Sequence, residues 1–232
     1  MANNALSFGG DTSYVSAGTA DPGTALTIGG WLNWGGSPNT ANSSQAIISK
    51  HTTFGTQRFW FGLDKTNSYK LLVYGNGGSF PFWNYIPTSG VSTHIVWVHD
   101  TGAGNEKLYI NGAFHSSISA ITIGSSTAAP ILIGASTNGT AERLKGTLDG
   151  MFINTSIMSA GNIAAIYAGA DPNTITSAWA TWHMDEGSGT STADSTGTNT
   201  GTLSGATLPT WTTGIEVVTP PLVPRGMLLG VG

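Results

Sequence analysis

The chain has 232 residues, of which 39% are hydrophobic, 33 are glycine, eight are tryptophan and none is cysteine. Only 9% are charged, with eight Lys and Arg and a formal net charge of −4, whereas an average soluble domain has roughly 25% charged residues. This composition excludes disulfides, thiolate nucleophiles and cysteine-based metal sites, and it lacks the basic patches on which nucleic-acid binding depends. No apolar run approaches the ~18 residues of a membrane-spanning helix.

Short segments of alternating apolar and polar residues recur between clusters of Gly, Ser, Thr and Asn. Each is about four to eight residues long and rich in β-branched and aromatic side chains, as expected for strands. The predicted strands are Ala5–Phe8, Ala25–Leu32, Gln45–Lys50, Arg58–Leu63, Lys70–Tyr74, His94–Asp100, Glu106–Ile110, Ile131–Gly134, Leu148–Asn154 and Ala178–Met184. Many short, closely spaced strands predict an all-β sandwich or barrel.

The dipeptide Asn111-Gly112 marks a hairpin. It lies between the predicted strand Glu106–Ile110 and the segment Ala113–Ser116. Asn-Gly accommodates the two positive φ angles of a type I′ turn better than other residue pairs. We therefore expect a tight β-hairpin at this point of the chain.

One segment departs from the strand pattern. In Ser159–Tyr167, Ser159 can cap a helix N-terminus, and Ile163, Ile166 and Tyr167 share one helical face. Asp171-Pro172 is expected to end the helical region, because a residue that precedes proline avoids helical backbone angles. The sequence therefore predicts one short helix in an otherwise all-β protein.

The C-terminal part contains a polar region and a proline-rich region. Glu186–Gly205 consists almost entirely of Gly, Ser, Thr, Asp and Asn, and we interpret it as a loop-rich excursion of the domain. Residues 216–232 include three prolines and an apolar segment, which predicts an extended tail. The expected organisation is one domain over residues 1–215 and a tail over residues 216–232. Within the tail, Leu222–Gly226 is similar to a thrombin cleavage site, either native or introduced.

The order of these segments resembles that of the concanavalin A-like lectin/glucanase superfamily, and specifically its laminin-G-like jelly-roll branch. The resemblance covers roughly residues 5–214. The segments that carry it are Ala5–Val15, Leu26–Leu32 with its Trp31, Ala46–Lys50, the pair Thr93–Asp100 and Lys107–Gly112, Ile131–Gly134, Leu144–Ile153, the helix Ser159–Tyr167 and the block Trp182–Thr190. It implies an all-β fold of two antiparallel sheets packed face to face, with one short helix. Members of this superfamily include lectins, adhesion modules, hydrolases and structural proteins, so the fold does not define the function.

No catalytic residues are predicted. A glycoside hydrolase needs two carboxylates about 5–9 Å apart, and the hydrolytic branch of this superfamily carries them as Glu-x-Asp-x-Glu on one face of a strand. None of the four glutamates belongs to such a motif; they are Glu106, Glu142, Glu186 and Glu216. Asp185 and Glu186 are adjacent, so a strand would direct them to opposite faces. The five histidines show none of the spacings of metal-binding motifs.

The resemblance implies a calcium site, because laminin-G-like domains often hold one Ca²⁺ with an Asp and backbone carbonyls. Calcium takes six to eight oxygen ligands. Asp11 and Asp149 match the Asp positions of the family most closely. The alternative interpretation is that Asp11 forms an Asx-turn and Asp149 accepts hydrogen bonds from backbone amides.

Aromatic residues are the candidate ligand-binding residues, because sugars stack their C–H faces on aromatic rings. Four of them lie close together beside Gly and Pro: Phe80, Phe82, Trp83 and Tyr85. If exposed, this cluster forms a ligand or partner surface; alternatively, the loop folds over the sandwich edge and buries its rings. Trp34 and Trp60 are second-rank candidates. Four further tryptophans lie in regular strands and are assigned to the core: Trp31, Trp97, Trp179 and Trp182.

The expected function is that of a non-enzymatic surface module, a decoration or adhesion protein of a phage virion that binds glycans or a cell-surface polysaccharide. One alternative is a purely structural virion or assembly protein, attached to a protein partner or to further copies of itself through the tail. The other is a polysaccharide-active hydrolase or lyase. The N-terminus lacks the basic and apolar regions of a signal peptide, and the expected location is a virion or an extracellular surface.

Overall fold

The computed structural model of the chain describes residues 3–37, 43–51, 53, 57–125, 128–137, 141–176 and 178–215. The predicted tail, with its protease-like site Leu222–Gly226, lies outside the described residues. The strands are β1 (Asn4–Gly9), β2 (Tyr14–Ala17), β3 (Leu26–Trp34), β4 (Gln45–Lys50), β5 (Phe59–Asp64), β6 (Lys70–Tyr74), β7 (Ser92–Asp100), β8 (Asn105–Ile110), β9 (Ala113–Ser119), β10 (Ile131–Ile133), β11 (Lys145–Asn154), β12 (Ala178–Trp182), β13 (Ser191–Thr192), β14 (Gly201–Ser204) and β15 (Thr210–Thr213). The helices are α1 (Ala160–Tyr167), α2 (Pro172–Ile175) and a 3₁₀ turn, Lys65–Asn67.

The strands form two antiparallel sheets. The eight-stranded sheet has the order β15-β1-β11-β3-β7-β8-β9, with β12 also paired to β11. The seven-stranded sheet has the order β13-β14-β2-β10-β4-β5-β6. The predicted two-sheet antiparallel jelly-roll sandwich is therefore confirmed. Of the helices that the structure describes, none has the length and hydrophobicity needed to cross a membrane.

The period-two alternation of side chains divides each strand between the core and an outer face. In β5, Phe59, Phe61 and Leu63 point into the main core between the sheets, whereas Trp60 packs in a separate cluster with Tyr74. Trp97 and Trp182 lie in the main core, as predicted. Each sheet therefore also presents an outer face, and both candidate sites of this protein lie on such faces.

The predicted turn and helix are confirmed. Asn111 and Gly112 adopt φ angles of 50° and 77°, which are the two positive values of a type I′ turn. Ser159 caps α1 by accepting a hydrogen bond from the Asn162 amide at 3.2 Å. Ile163 and Ile166 are buried against the outer face of the eight-stranded sheet, so α1 covers part of that face.

Two predictions about secondary structure need correction. Asp171-Pro172 does not end the helical region but starts α2, in which Asp171 is the N-cap and Pro172 stands in the first turn. Proline is favoured there because the first helical N–H groups have no intrahelical partner. The second concerns detail only: Glu186–Gly205 is loop-rich as predicted, and two short strands, β13 and β14, also lie within it. These strands are short and polar, so they carry no hydrophobic alternation that sequence inspection can detect.

Candidate functional site

The aromatic segment around residue 83 runs beside β6 in the manner of an additional strand. The Trp83 amide donates to the Leu71 carbonyl at 2.9 Å, and the Leu71 amide donates to the Tyr85 carbonyl at 3.0 Å. Phe82 forms an isolated β-bridge with Leu72. Because side chains alternate along an extended chain, the predicted cluster is divided between two faces.

Trp83 and Tyr85 point inward. Trp83 is 0% exposed and belongs to the main core, where its ring centroid is 6.3 Å from that of Phe61. Tyr85 is half-buried against the same core. The prediction that Trp83 forms an exposed binding surface is therefore wrong, because its ring is buried between the two sheets. Trp34 is likewise buried in the core, so its ring is not presented to a ligand.

Phe80 and Phe82 point outward, with exposed fractions of 54% and 38%. The Lys70 ammonium lies 4.9 Å from the centroid of the Phe82 ring, a cation–π contact. Phe80 stands at 67° to Tyr74, with 5.4 Å between ring centroids. Tyr74 in turn stacks on Trp60 at 4.9 Å and 11°. Trp60, Tyr74 and Phe80 thus form a continuous aromatic series on the outer face of the seven-stranded sheet.

This series lines a cavity of 260 Å³, here called the aromatic pocket. Its apolar side is formed by Trp60, Leu72, Tyr74 and Phe80. Cross-strand pairing accounts for the position of these residues, since Trp60 on β5 pairs with Tyr74 on β6 and both face outward. Trp60 is buried beneath Tyr74, so it supports the pocket, and Phe80 contributes the exposed ring.

The other side of the aromatic pocket is polar, with Ser44, Asp64, Thr66, Asn67 and Glu142. Burial pushes the pKa of Asp64 upward, but hydrogen bonds from the side chains of Thr66, Asn67 and Ser44 outweigh it and hold that pKa below its ordinary value. Asp64 is therefore ionised at neutral pH. Burial raises the pKa of Glu142, and hydrogen bonds, including one from Ser136 at 2.6 Å, oppose this shift. The pocket combines an exposed aromatic ring with carboxylate and amide acceptors.

A second cavity lies on the outer face of the other sheet. Asp149, Trp31 and His94 are direct cross-strand neighbours on β11, β3 and β7, so all three point to this face. Together with residues from α1, α2 and the segment after β12, they line a cavity of 290 Å³, here called the acidic cleft. Three carboxylates line the acidic cleft: Asp149, Asp171 and Asp185.

Two titratable groups that line the acidic cleft, Asp149 and His94, have strongly shifted pKa values. Asp149 is buried, and burial, followed by the charge of Asp185, raises its pKa to about 7, although hydrogen bonds from the amides of Ile215 and Gly150 oppose the shift. Burial lowers the pKa of His94 to about 4, so this imidazole is neutral at physiological pH. His183 Nε2 lies 3.7 Å from Asp171 Oδ2.

The two predicted calcium ligands do not lie together. Asp11 is exposed, and its Oδ1 accepts hydrogen bonds from the amides of Thr12 at 2.6 Å and Ser13 at 3.2 Å, which is an Asx-turn. Its turn follows β1, whose residue Gly9 pairs with Lys145. Lys145 and Asp149 are separated by four residues of one strand, about 13 Å. One ion therefore cannot bind both carboxylates, and calcium at either stays a prediction. Over the described ranges, no three His, Asp or Glu side chains are grouped to hold a metal.

Sequence inspection had found part of each site. Phe80 and Trp60 of the aromatic pocket and Asp149 of the acidic cleft were candidates. The sequence candidates did not include four further residues of the aromatic pocket, Tyr74, Asp64, Asn67 and Glu142. Trp31 was assigned only to the core. The alternation of Lys70–Tyr74 places Tyr74 on one face with Leu72, but the pairing of β5 with β6 is needed to place it against Trp60.

Several solved structures share this fold. A Bacteroides ovatus protein to which carbohydrate binding has been ascribed matches 94% of this chain with a TM-score of 0.71 and 14% identity, and this chain spans 62% of that protein's length. A heptameric pentraxin from Limulus polyphemus matches 73% of this chain and 84% of its own, with a TM-score of 0.58 and 14% identity. Domain 4 of AbnA, an extracellular GH43 arabinanase from Geobacillus stearothermophilus, was solved with arabinotriose. It matches 70% of this chain and 75% of its own, with a TM-score of 0.51 and 15% identity.

At these identities the likenesses show the fold alone. No curated protein matches the sequence significantly. A laminin-G-type family model, described as concanavalin A-like lectin/glucanases superfamily, matches residues 8–164, which is more than half of the chain. The order of strands, the predicted resemblance and the family model agree. The chain belongs to the concanavalin A-like lectin/glucanases superfamily.

Proposed function

We propose that this protein is a non-catalytic glycan-binding module and that the aromatic pocket is its binding site. The observation that carries the proposal is the exposed Phe80 ring, which stands against Tyr74 and lines the same cavity as the carboxylate of Asp64. A saccharide has apolar C–H faces and a rim of hydroxyl groups. An aromatic ring covers the former, and carboxylate and amide oxygens accept hydrogen bonds from the latter.

The size and rigidity of the aromatic pocket suit a sugar ring. Its 260 Å³ lies near the lower end of ligand-pocket volumes, about 300–1,000 Å³. Asp64 is held by Ser44 Oγ at 3.0 Å and by the amides of Thr66 and Asn67. Residues whose positions are already defined lose little entropy on binding. The pocket therefore has room for one sugar unit.

The shared fold also supports this proposal. Carbohydrate binding has been ascribed to the Bacteroides ovatus protein, and the arabinanase domain was solved with arabinotriose. We further propose that the module is displayed on a virion or another extracellular surface, as a decoration or adhesion protein. The low charge and the Gly-, Ser- and Thr-rich composition support this location. Its competitor is a purely structural protein attached through residues 216–232.

Replacing Phe80 by alanine is expected to weaken glycan binding at least about tenfold, because it removes the exposed stacking ring. A broad glycan array identifies the ligand, and titration calorimetry with that glycan measures the loss. Phe114→Ala is the matched control, since Phe114 is 55% exposed and stands at 70° to Tyr109, 5.6 Å away, on the other sheet. Equal loss from both variants, or none from Phe80→Ala, would contradict the assignment of the pocket.

The same array separates the alternatives. An array run once with Ca²⁺ and once with EDTA tests calcium, because binding that needs the ion disappears with the chelator. Release of reducing ends from polysaccharides would establish a hydrolase or lyase in place of a binding module. A blank array would favour the structural role and would direct attention to the tail.

A further inference from the structure

The acidic cleft lies on the opposite side of the sandwich from the aromatic pocket. Trp31 and His94 line the cleft, and their rings cluster with that of Tyr167, with centroid separations of 5.3, 5.5 and 5.8 Å. Ile166 of α1 also lines the cleft, so the helix forms part of one side. Asp149 stands beside Trp31 on the neighbouring strand. Strand register therefore places Trp31, His94 and Asp149 side by side.

His94 lines the acidic cleft without a hydrogen-bond partner. Its side chain is 1% exposed, and neither ring nitrogen has a partner within the described part of the chain. A neutral imidazole has one donor and one acceptor nitrogen. Leaving both unsatisfied in a buried position is unfavourable, so a polar ligand group that reached either nitrogen would bind favourably. A ligand with hydroxyl or amino groups would satisfy them.

The charge of the acidic cleft selects the sign of its ligand. Asp149, Asp171 and Asp185 line it, and among the described residues no Lys or Arg does. Asp149 accepts from the Ile215 amide at 2.8 Å, and Asp185 accepts from the Asn4 amide at 3.1 Å. A cleft lined by one sign of charge attracts the opposite sign, and the Trp31 ring adds a cation–π contribution.

The dimensions of the acidic cleft suit an organic cation better than a bare metal ion. Its 290 Å³ equals about ten times the volume of one water molecule in the liquid, which is far more than a bare metal ion occupies. Ile166, Pro172 and Ile215 add apolar surface to the lining. The ligand should therefore carry a positive charge, polar hydroxyl or amino groups and an apolar face.

We propose that the acidic cleft is a second ligand site, which takes a saccharide carrying a primary ammonium group. The ammonium binds the carboxylates of Asp149 and Asp185, and the sugar ring packs between Trp31 and the apolar residues of the rim. The saccharide part of this assignment rests on the proposed glycan-binding function. The cationic part rests on the cleft alone.

Two probes of equal size test the proposal on the full chain. An aminoethyl glucoside keeps its ammonium charged over the useful pH range, and a hydroxyethyl glucoside is its neutral counterpart. Calorimetry or ligand-observed NMR should show at least about tenfold tighter binding of the aminoethyl probe by the wild-type protein. Asp185→Asn should remove most of that preference, and Asp149→Asn should act in the same direction. Phe80→Ala should leave it unchanged, because Phe80 lines the other cavity.

Equal binding of the two probes to the wild-type protein would by itself overturn the proposal, whatever the variants show. So would a preference that Phe80→Ala abolishes, or Ca²⁺ binding at Asp149 that excludes the aminoethyl probe. Failure of the two proposals can be distinguished. A positive glycan array with no charge preference removes only the second site. A blank array with a preference that depends on Asp185 removes the proposed glycan-binding function and leaves the acidic cleft as a site for an organic cation.

Discussion

Replacing Trp83 by alanine is expected to lower the free energy of unfolding by about 3–5 kcal/mol, the usual range for truncation of a buried Trp. The indole is 0% exposed and packs in the main core near Phe61. Its removal leaves a cavity that the surrounding strands cannot fill, because β-sheet cores are close-packed. Urea denaturation followed by tryptophan fluorescence and far-UV circular dichroism measures the change.

Phe82→Ala is the control for this prediction. Phe82 precedes Trp83 directly but points outward, with an exposed ring that contacts Lys70. Its truncation is expected to change the free energy of unfolding by no more than about 1 kcal/mol. The large difference between two adjacent residues follows from the alternation of an extended chain. If Phe82→Ala destabilised the protein as much as Trp83→Ala, segment 81–85 would not have the observed orientation.

Burial of His94, whose pKa falls from 6.5 to about 4, makes the folded protein more stable as the pH rises toward 6.5. Asp149 is expected to act in the opposite direction and to lower the stability as the pH rises from about 4 to 8. Its pKa is about 7 in the folded protein and 3.8 in an unperturbed chain. The folded state therefore holds a proton that the unfolded state releases, and stability falls as the pH rises through the folded pKa. At about 1.4 kcal/mol per pKa unit, this one group accounts for up to about 4 kcal/mol.

Asp149→Asn is expected to remove this contribution, because asparagine does not titrate. The free energy of unfolding of the variant should exceed that of the wild type at pH 8 and approach it near pH 4. Three other titratable groups line the cleft with Asp149 and Asp185, namely His94, Asp171 and His183, so the comparison of variant with wild type isolates Asp149. Parallel pH profiles would show that Asp149 is already ionised at neutral pH.

Asp11→Asn provides the control for the pH profile. Asp11 is exposed, and although burial pushes its pKa slightly upward, hydrogen bonds from the amides of Thr12 and Ser13 hold that pKa below its ordinary value. Its contribution is present above the unfolded pKa and is lost only as the pH falls through the folded pKa. Between pH 5 and 8 this variant should therefore follow the wild-type profile.

Ionisation of Asp149 also couples the stability of the folded protein to ligand binding in the acidic cleft. Near pH 6 about one tenth of Asp149 side chains are ionised, and near pH 8 about nine tenths, for a pKa of about 7. Binding of an ammonium group should therefore strengthen over this interval. The same carboxylate that destabilises the empty protein at pH 8 would then stabilise its complex.

Local sequence determined the strands, the turn and the helix start that depend on interactions between residues close together in the chain. The boundaries of β4 and β6 were predicted residue for residue, because each is a short, largely apolar segment that is buried almost throughout. Asn111-Gly112 defines its own turn, and Ser159 defines the start of α1, since both act through backbone groups a few residues away. The laminin-G-like order of the strands was also visible in the sequence and sufficed for the two-sheet fold.

The tertiary structure decided which side chains meet. In the sequence, segment 80–85 is one aromatic cluster, but its pairing with β6 places Trp83 in the core and Phe80 at the surface. Trp31, His94 and Asp149 are remote in sequence and become neighbours only through the registers of β3, β7 and β11. Strand register depends on long-range contacts, and burial then sets the pKa of Asp149. The sequence by itself determined where the strands form, whereas the pairing of the strands determined which side chains make up the aromatic pocket and the acidic cleft.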